Sequence, residues 1–120
     1  MANHKFKTLT LGLWLYLLLP QIAWSDFQNG NQLLKNCTAK NDIQAKAYCI
    51  GYVAAIADVL GVGDREIGGW YACLPSHATQ GDVVEIAVNW LKKHPSVRGE
   101  GASDIAAHAL AKAFPCTPTP

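Results

Sequence analysis

The sequence has no apolar run at its start that is long enough for a transmembrane helix. The run of residues 9–19 has eleven residues, well short of the roughly 20 that cross a bilayer. No twin-arginine pair precedes it, and the first cysteine, Cys37, lies too far along the chain for lipid attachment. No polybasic or strongly amphipathic segment follows. We therefore expect the mature chain to be soluble, without stable membrane association.

The start of the chain has instead the three parts of a secretory signal peptide. Two lysines precede the short apolar run, and small residues stand at positions −3 and −1 of a cut after Ser25. We expect residues 1–25 to be removed by cleavage between Ser25 and Asp26. Residues 26–120 then form a single exported domain in the periplasm, because about 95 residues suffice for one small core.

An excess of charge of one sign is also missing. Once Lys5 and Lys7 leave with the signal peptide, eight basic residues face nine acidic ones, for a net charge near −1. These charges are scattered, and no basic stripe could follow a phosphate backbone. Nucleic acid is therefore excluded as the partner.

The mature chain lacks the patterns that common catalytic sites need. It has no glycine-rich phosphate-binding loop and no Gly-x-Ser-x-Gly motif. Of its histidines, His77 falls in a loop, His94 at a helix end and His108 on the polar side of a predicted helix. We therefore expect all three to be surface residues. A cysteine–histidine nucleophile pair is disfavoured when every cysteine is oxidised. We predict that the protein is not an enzyme and holds no cofactor or metal.

The four cysteines all lie in the mature chain, and an even number in an exported protein is typical of disulfide bonds. Separations of 12, 24 and 43 residues, without a Cys-x-x-Cys or His-x-x-x-His pair, argue against a zinc site. Four cysteines permit three pairings, and spacing alone does not choose among them. We expect Cys37 to bond Cys49, which links the end of one predicted helix to the next. Cys73 then bonds Cys116 and ties the C-terminus to the middle of the chain.

Helical spacing of apolar residues predicts an all-α fold, a small bundle of about four helices cross-linked by the two disulfides. The first helix covers residues 30–37. The third begins at a capping box, Thr79-x-x-Asp82, and stops before Pro95. The last is expected to start with Ser103 as its N-cap. No stretch has the alternating pattern of a β-strand.

The second predicted helix is the longest, over residues 42–60, with Asn41 as its N-cap. Residues 47–57 carry no charge, and apolar side chains cover nearly the whole circumference. A helix that is apolar all round is normally wrapped by other helices. We therefore expect this helix to be the central one.

Asp58 is the only charged residue between Lys46 and Asp64. A carboxylate in such an apolar stretch is usually held by a helix N-terminus, a Tyr, a Trp or an Arg. We expect this structural role for Asp58. The alternative is a contact with a partner near the end of the helix.

Two irregular segments are candidate contact surfaces. Residues 62–72 form a glycine-rich loop with Trp70 and Tyr71, and aromatic side chains are favoured anchors at interfaces. The alternative is that both aromatic rings pack over a neighbouring disulfide. Residues 94–101 form a polar loop that carries Arg98. The candidate partner-binding residues are therefore Trp70, Tyr71 and Arg98.

Short motifs around the four cysteines follow one another in a definite order after the signal peptide. The clearest are Leu33-Leu34-x-x-Cys37, Cys49-Ile50-Gly51-Tyr52, Cys73-Leu74-Pro75 and Phe114-Pro115-Cys116. In this order they resemble the Rap/Tai family of type VI secretion immunity proteins, over essentially the whole mature chain.

The resemblance implies a small, helical, disulfide-bonded periplasmic protein that is usually a homodimer. It also implies a partner, a peptidoglycan amidase effector whose cysteine–histidine cleft the immunity protein occludes. The family's inhibitory residues do not carry over, because immunity surfaces vary with their toxins. Residues 62–72 and 94–101 remain the candidates for this contact.

Two other functions fit an exported helical protein. One is a periplasmic binding or assembly protein for an unknown ligand, which a stable complex with something other than a hydrolase would identify. The other is a small acid-stress chaperone, which would protect unrelated proteins from aggregation at low pH. With three histidines and nine carboxylates, the mature chain carries only a weak signal for an acid switch.

Overall fold

The computed structural model describes residues 27–116 and confirms the all-α prediction. Four helices follow one another, with one turn of 3-10 helix, Pro95–Val97, before the last. The described residues form no β-strand, only two isolated bridges. The predicted signal peptide and its cleavage site lie outside this part of the chain. The helices are α1 (Gly30–Thr38), α2 (Ile43–Leu60), α3 (Gln80–Lys93) and α4 (Ala102–Ala113).

Side-chain caps start three of the helices. At α1 the Asn29 side chain accepts a hydrogen bond from the Gln32 backbone N–H, and the Gln32 side chain accepts one from the Asn29 N–H. The capping box predicted for α3 is confirmed, because Thr79 and Asp82 exchange the same two bonds. These contacts satisfy N–H groups that a helix start leaves without partners.

Two predicted caps were wrong. The N-cap of α2 is Asp42, which accepts from the Ala45 N–H at 2.9 Å, whereas Asn41 precedes it with a φ of 59°. At α4 the N-cap position is Gly101 and no side chain caps the helix. Ser103 lies inside α4, which begins two residues earlier than predicted, where the Ala102 N–H donates to the Gln28 carbonyl oxygen at 3.0 Å.

The core lies where one face of each helix meets the others. α2 packs against α1, α3 and α4, and α3 packs against α4. Small side chains on α4 allow close approach there, because most of its buried residues are alanines. The largest fully buried side chains are Leu33, Val53, Leu60, Leu91 and Leu110.

The prediction that α2 is wrapped by other helices was wrong. Val53, Ile56 and Leu60 are buried, but Ile43 on the opposite side is 84% exposed. By length and hydropathy α2 could cross a membrane, yet one face packs in the core, so it forms a wall of the bundle. The other three helices have 9, 14 and 12 residues and lie on one side of α2. Three helices on one side are too few to surround it.

Both predicted disulfides are confirmed. The Cys37–Cys49 bond joins the last turn of α1 to the second turn of α2, with 5.0 Å between the Cα atoms. The Cys73–Cys116 bond, also with 5.0 Å between Cα atoms, fastens the segment after α4 to the segment before α3. The Cys73 N–H also donates to the Phe114 carbonyl oxygen at 2.8 Å. The described residues contain no free cysteine.

Candidate functional site

The loop of residues 62–72 contains a tight two-residue turn. The backbones of Ile67 and Trp70 donate to each other's carbonyl oxygens at 3.2 and 3.0 Å. Gly68 and Gly69 between them have φ angles of 59° and 82°, in the left-handed region that favours glycine. The glycine pair therefore sets the shape of the loop tip.

Two close backbone contacts fix the loop to the protein. A Cβ at Gly63 would lie 2.6 Å from the Sγ of Cys73, so this glycine rests directly on the second disulfide. A Cβ at Gly68 would overlap the carboxylate of Asp104, in the first turn of α4. At both points the loop backbone lies so close to the protein that only glycine fits.

A stack of four rings makes a third attachment. Trp70 lies flat on His108, with ring centroids 3.6 Å apart and planes 8° apart. His108 in turn contacts Trp90, 4.5 Å away, and Trp90 stacks on His94 at 4.0 Å. The stack joins the loop to α4 and to the end of α3. Trp70 therefore packs on a histidine and not over the disulfide, as the alternative had it.

His94 and His108, which were expected to be surface residues, are half-buried, because the tryptophan rings of the stack cover part of each. Burial lowers the pKa of His108 because it disfavours the charged ring, and Lys112 and His94 lower it further. Glu100 acts in the opposite direction. His77, in contrast, is exposed, as expected.

The outer side of the loop presents apolar and charged groups to solvent. Val62 is 72% exposed and Tyr71 is 46% exposed. The Tyr71 hydroxyl donates a hydrogen bond to the Glu66 carboxylate, which raises the pKa of Tyr71 above its usual value. Asp64 and Arg65 are also exposed. Trp70 therefore points towards the protein, whereas its neighbour in sequence, Tyr71, points towards solvent.

The loop of residues 94–101 is turned towards the protein. The Nε of Arg98 donates to the Leu91 carbonyl oxygen at 2.7 Å, and its Nη2 donates to that of Lys92 at 3.2 Å. Arg98 thereby satisfies carbonyls at the C-terminal end of α3. This geometry gives Arg98 a role inside the fold, and its contact with a partner stays a prediction.

The backbone of the same loop is bound to the start of α1. The Gly30 N–H donates to the Glu100 carbonyl oxygen at 3.1 Å, and the Asn31 N–H to that of Arg98 at 2.9 Å. A Cβ at Gly30 would lie 2.6 Å from a methyl group of Ile105 and 3.0 Å from the Arg98 backbone. The loop therefore completes two helix ends.

Asp58 lies exposed at the rim of a groove of about 280 Å³ between the end of α2 and the start of α3. Within residues 27–116 its carboxylate accepts no hydrogen bond and forms no ion pair. The groove brings Asp58 near Val62, Pro75 and Thr79. The helix N-terminus, Tyr, Trp or Arg expected to hold Asp58 is thus not supplied by the described residues.

Two features of the site were missed in the sequence. The four-residue spacing of Trp90 and His94, one helical turn apart, was the available signal for a stacked pair. The contact of Trp70 with His108 had no such signal, because 38 positions separate them and only the fold brings them together.

A family model described as Rap1a immunity proteins matches residues 29–116. The match starts at the N-cap of α1 and ends at the last cysteine of the second disulfide, so it includes all four helices and both loops. No curated protein and no solved structure matches the chain.

Proposed function

The chain belongs to the Rap1a immunity protein family, and from this membership we propose that it binds and neutralises a partner effector. The effector we propose is a peptidoglycan amidase delivered by a type VI secretion system, as the cysteine motifs imply by their resemblance. Two disulfides and the family indicate an exported protein. The proposed site of action is the periplasm, where an amidase would meet its substrate.

The protein acts by binding and carries out no reaction of its own. Membership of an immunity family supports this view. All four cysteines are bonded in pairs, so none of them offers a thiolate nucleophile.

The loop of residues 62–72 is the surface that contacts the effector. The observation that carries this proposal is its anchoring, because two glycine contacts and the Trp70 ring hold its inner side while Val62 and Tyr71 stay exposed. A loop fixed in this way loses little conformational entropy when it binds. An exposed tyrosine beside an apolar side chain is also typical of an interface anchor.

The mechanism is steric. Tyr71 and Val62 enter the cysteine–histidine cleft of the amidase and exclude peptidoglycan from it. The Glu66 carboxylate, which already accepts a bond from Tyr71, presents a negative charge at the same edge. The protein is also proposed to act as a homodimer, as the resemblance implies.

The test is inhibition of the purified amidase by the oxidised mature protein. We expect release of peptide from peptidoglycan to fall to background at a stoichiometric ratio. Tyr71→Ala should weaken inhibition at least about tenfold, in the range of an interface anchor. Phe27→Ala is the matched control, because Phe27 is 94% exposed but lies before α1, outside the loop.

Recovery of the tagged protein from the periplasm identifies the effector. A stoichiometric partner with amidase activity supports the proposal. A stoichiometric partner that is not a hydrolase contradicts it and favours an assembly role. Equal inhibition by wild type and Tyr71→Ala would retain the immunity function but move the contact surface away from residues 62–72.

A further inference from the structure

The exposed face of α2 carries a sequence that is nearly the same in both directions. Every fourth residue on this face belongs to a symmetric series of five: a bulky residue, a small residue, a glycine, a small residue and a bulky residue. All five residues are exposed. We call them the α2 ridge: Ile43, Ala47, Gly51, Ala55 and Val59.

The centre of the ridge is open. A Cβ at Gly51 would meet no atom within 4 Å, so nothing in residues 27–116 covers this position. Residues four apart form a row inclined to the helix axis, and two such rows pack side by side when helices cross at about −50°. Glycine and alanine at the centre let two helix backbones approach closely there. Ile43 and Val59 then close the contact at its ends.

We propose that the α2 ridge is the contact between two copies of this chain, packed antiparallel about Gly51. A two-fold axis at Gly51 places this residue against itself, Ala47 opposite Ala55, and Ile43 opposite Val59. A two-fold interface requires such self-complementarity, whereas an unrelated partner does not. The inference rests on the proposed homodimer and names the surface that forms it.

The charges at the two ends of α2 support the antiparallel arrangement. The N-terminal end carries two lysines and an aspartate that is engaged as the N-cap, and the residues at and just after the C-terminal end carry three acidic groups and one arginine. Antiparallel packing brings these unlike ends together, and parallel packing would bring like ends together. The residues are Lys40, Asp42 and Lys46 at one end and Asp58, Asp64, Arg65 and Glu66 at the other.

Cysteine cross-linking tests both the surface and its direction. Gly51→Cys should form a disulfide-linked dimer on its own, whereas Gly81→Cys, an exposed glycine on α3, should stay monomeric under the same oxidation. Ala47→Cys alone should not cross-link, but a mixture of Ala47→Cys and Ala55→Cys should. Peptide mapping confirms that both native disulfides remain intact.

Gly51→Cys that cross-links no faster than Gly81→Cys would overturn the proposed surface. Ala47→Cys that cross-links efficiently by itself would overturn the antiparallel arrangement, because only parallel helices place this residue against itself.

Sedimentation of Ala55→Arg separates the surface from the homodimer itself. A charge buried without a partner is costly, so we expect the dimer Kd to rise at least about 100-fold. Ala113→Arg, at an exposed alanine in the last turn of α4, should leave the Kd unchanged. A dimer that survives Ala55→Arg refutes the surface alone, and a wild-type protein that stays monomeric refutes the homodimer as well.

Two further measurements distinguish dimer formation from effector inhibition and from lipid binding. Amidase inhibition by the same samples tests the immunity function independently of the dimer. Since α2 is also apolar enough to suit a membrane, wild type and Ala55→Arg are mixed with anionic lipid vesicles. Vesicle binding that Ala55→Arg abolishes, with no dimer in solution, would assign the ridge to lipid and overturn the proposal.

Discussion

Two of the segments between the helices, residues 94–101 and residues 62–72, have opposite orientations. In residues 94–101, the Arg98 side chain points inward and caps α3. The backbone of the same loop binds the start of α1. Residues 62–72 rest on the protein through glycines and Trp70 and keep Val62 and Tyr71 exposed. The first loop completes the fold, and the second presents a surface.

The difference follows from what holds each loop. Polar side chains and backbone groups of residues 94–101 satisfy helix ends, so they have little left for a partner. Glycine contacts and one ring hold residues 62–72, which leaves the remaining side chains free to bind. An anchored loop of this kind is prepared for recognition before the partner arrives.

Removal of the second disulfide should have the largest effect. The chain-entropy model gives about 4 kcal/mol for the 43-residue separation of Cys73 and Cys116 and about 3 kcal/mol for the 12-residue separation of Cys37 and Cys49. Urea unfolding of the two double Cys→Ser variants measures both. Only loss of Cys73–Cys116 should also weaken effector binding, because Gly63 rests on it. A larger loss for the shorter separation would contradict this view.

Trp70→Ala should come next. Loss of the ring removes the half-buried stack on His108, at a cost of about 2 to 3 kcal/mol in the free energy of unfolding. Tyr71→Ala should change it by less than about 0.5 kcal/mol, because Tyr71 is a surface residue. Chemical denaturation compares the two variants. Equal destabilisation by both would show that the loop has no separate inner and outer sides.

Arg98→Ala should be milder. It removes two charge-assisted hydrogen bonds to carbonyls of α3, worth about 1 to 2 kcal/mol together in a half-buried position. Arg65→Ala, at an exposed arginine in the other loop, is the matched control and should alter stability by less than about 0.5 kcal/mol. Greater destabilisation by Arg65→Ala than by Arg98→Ala would show that residues 62–72, and not residues 94–101, complete the fold.

The smallest predicted effect concerns pH. Burial, Lys112 and His94 lower the pKa of His108 below its usual 6.5, so the unfolded chain binds a proton more readily than the folded one. This contribution to stability is complete above pH 6.5 and is lost as pH falls towards the lower folded pKa. Melting temperature measured from pH 7 to 5 should therefore fall less steeply in His108→Gln than in wild type. An equal slope in His108→Gln and wild type would contradict this prediction.

Much of the fold could be predicted from local signals. The capping box at Thr79 and the apolar spacing of the helices depended on neighbours in sequence. The even cysteine count predicted two disulfides, whereas their pairing was one choice among three. The exposure of α2 could not be predicted from its composition, because an apolar circumference does not say how many helices surround it. The same apolar surface that suggested a central helix is the surface that we propose as the contact between two copies.

The candidate site was predictable only in part. Residues 62–72 stood out by their glycines and aromatics, but the division between Trp70 and Tyr71 depends on His108, which is distant in sequence. Arg98 looked equally suitable for a partner, since no local pattern shows that a side chain reaches back to cap a helix seven residues earlier.

The most direct measurement compares one charge reversal in each loop. Glu66 and Glu100 are both exposed, and binding of Glu66→Arg and Glu100→Arg to the purified amidase is measured by titration calorimetry. We expect Glu66→Arg to raise the Kd at least about tenfold and Glu100→Arg to leave it within about twofold. A large loss of affinity in Glu100→Arg, with Glu66→Arg unaffected, would contradict the assignment of residues 62–72 as the effector-binding surface.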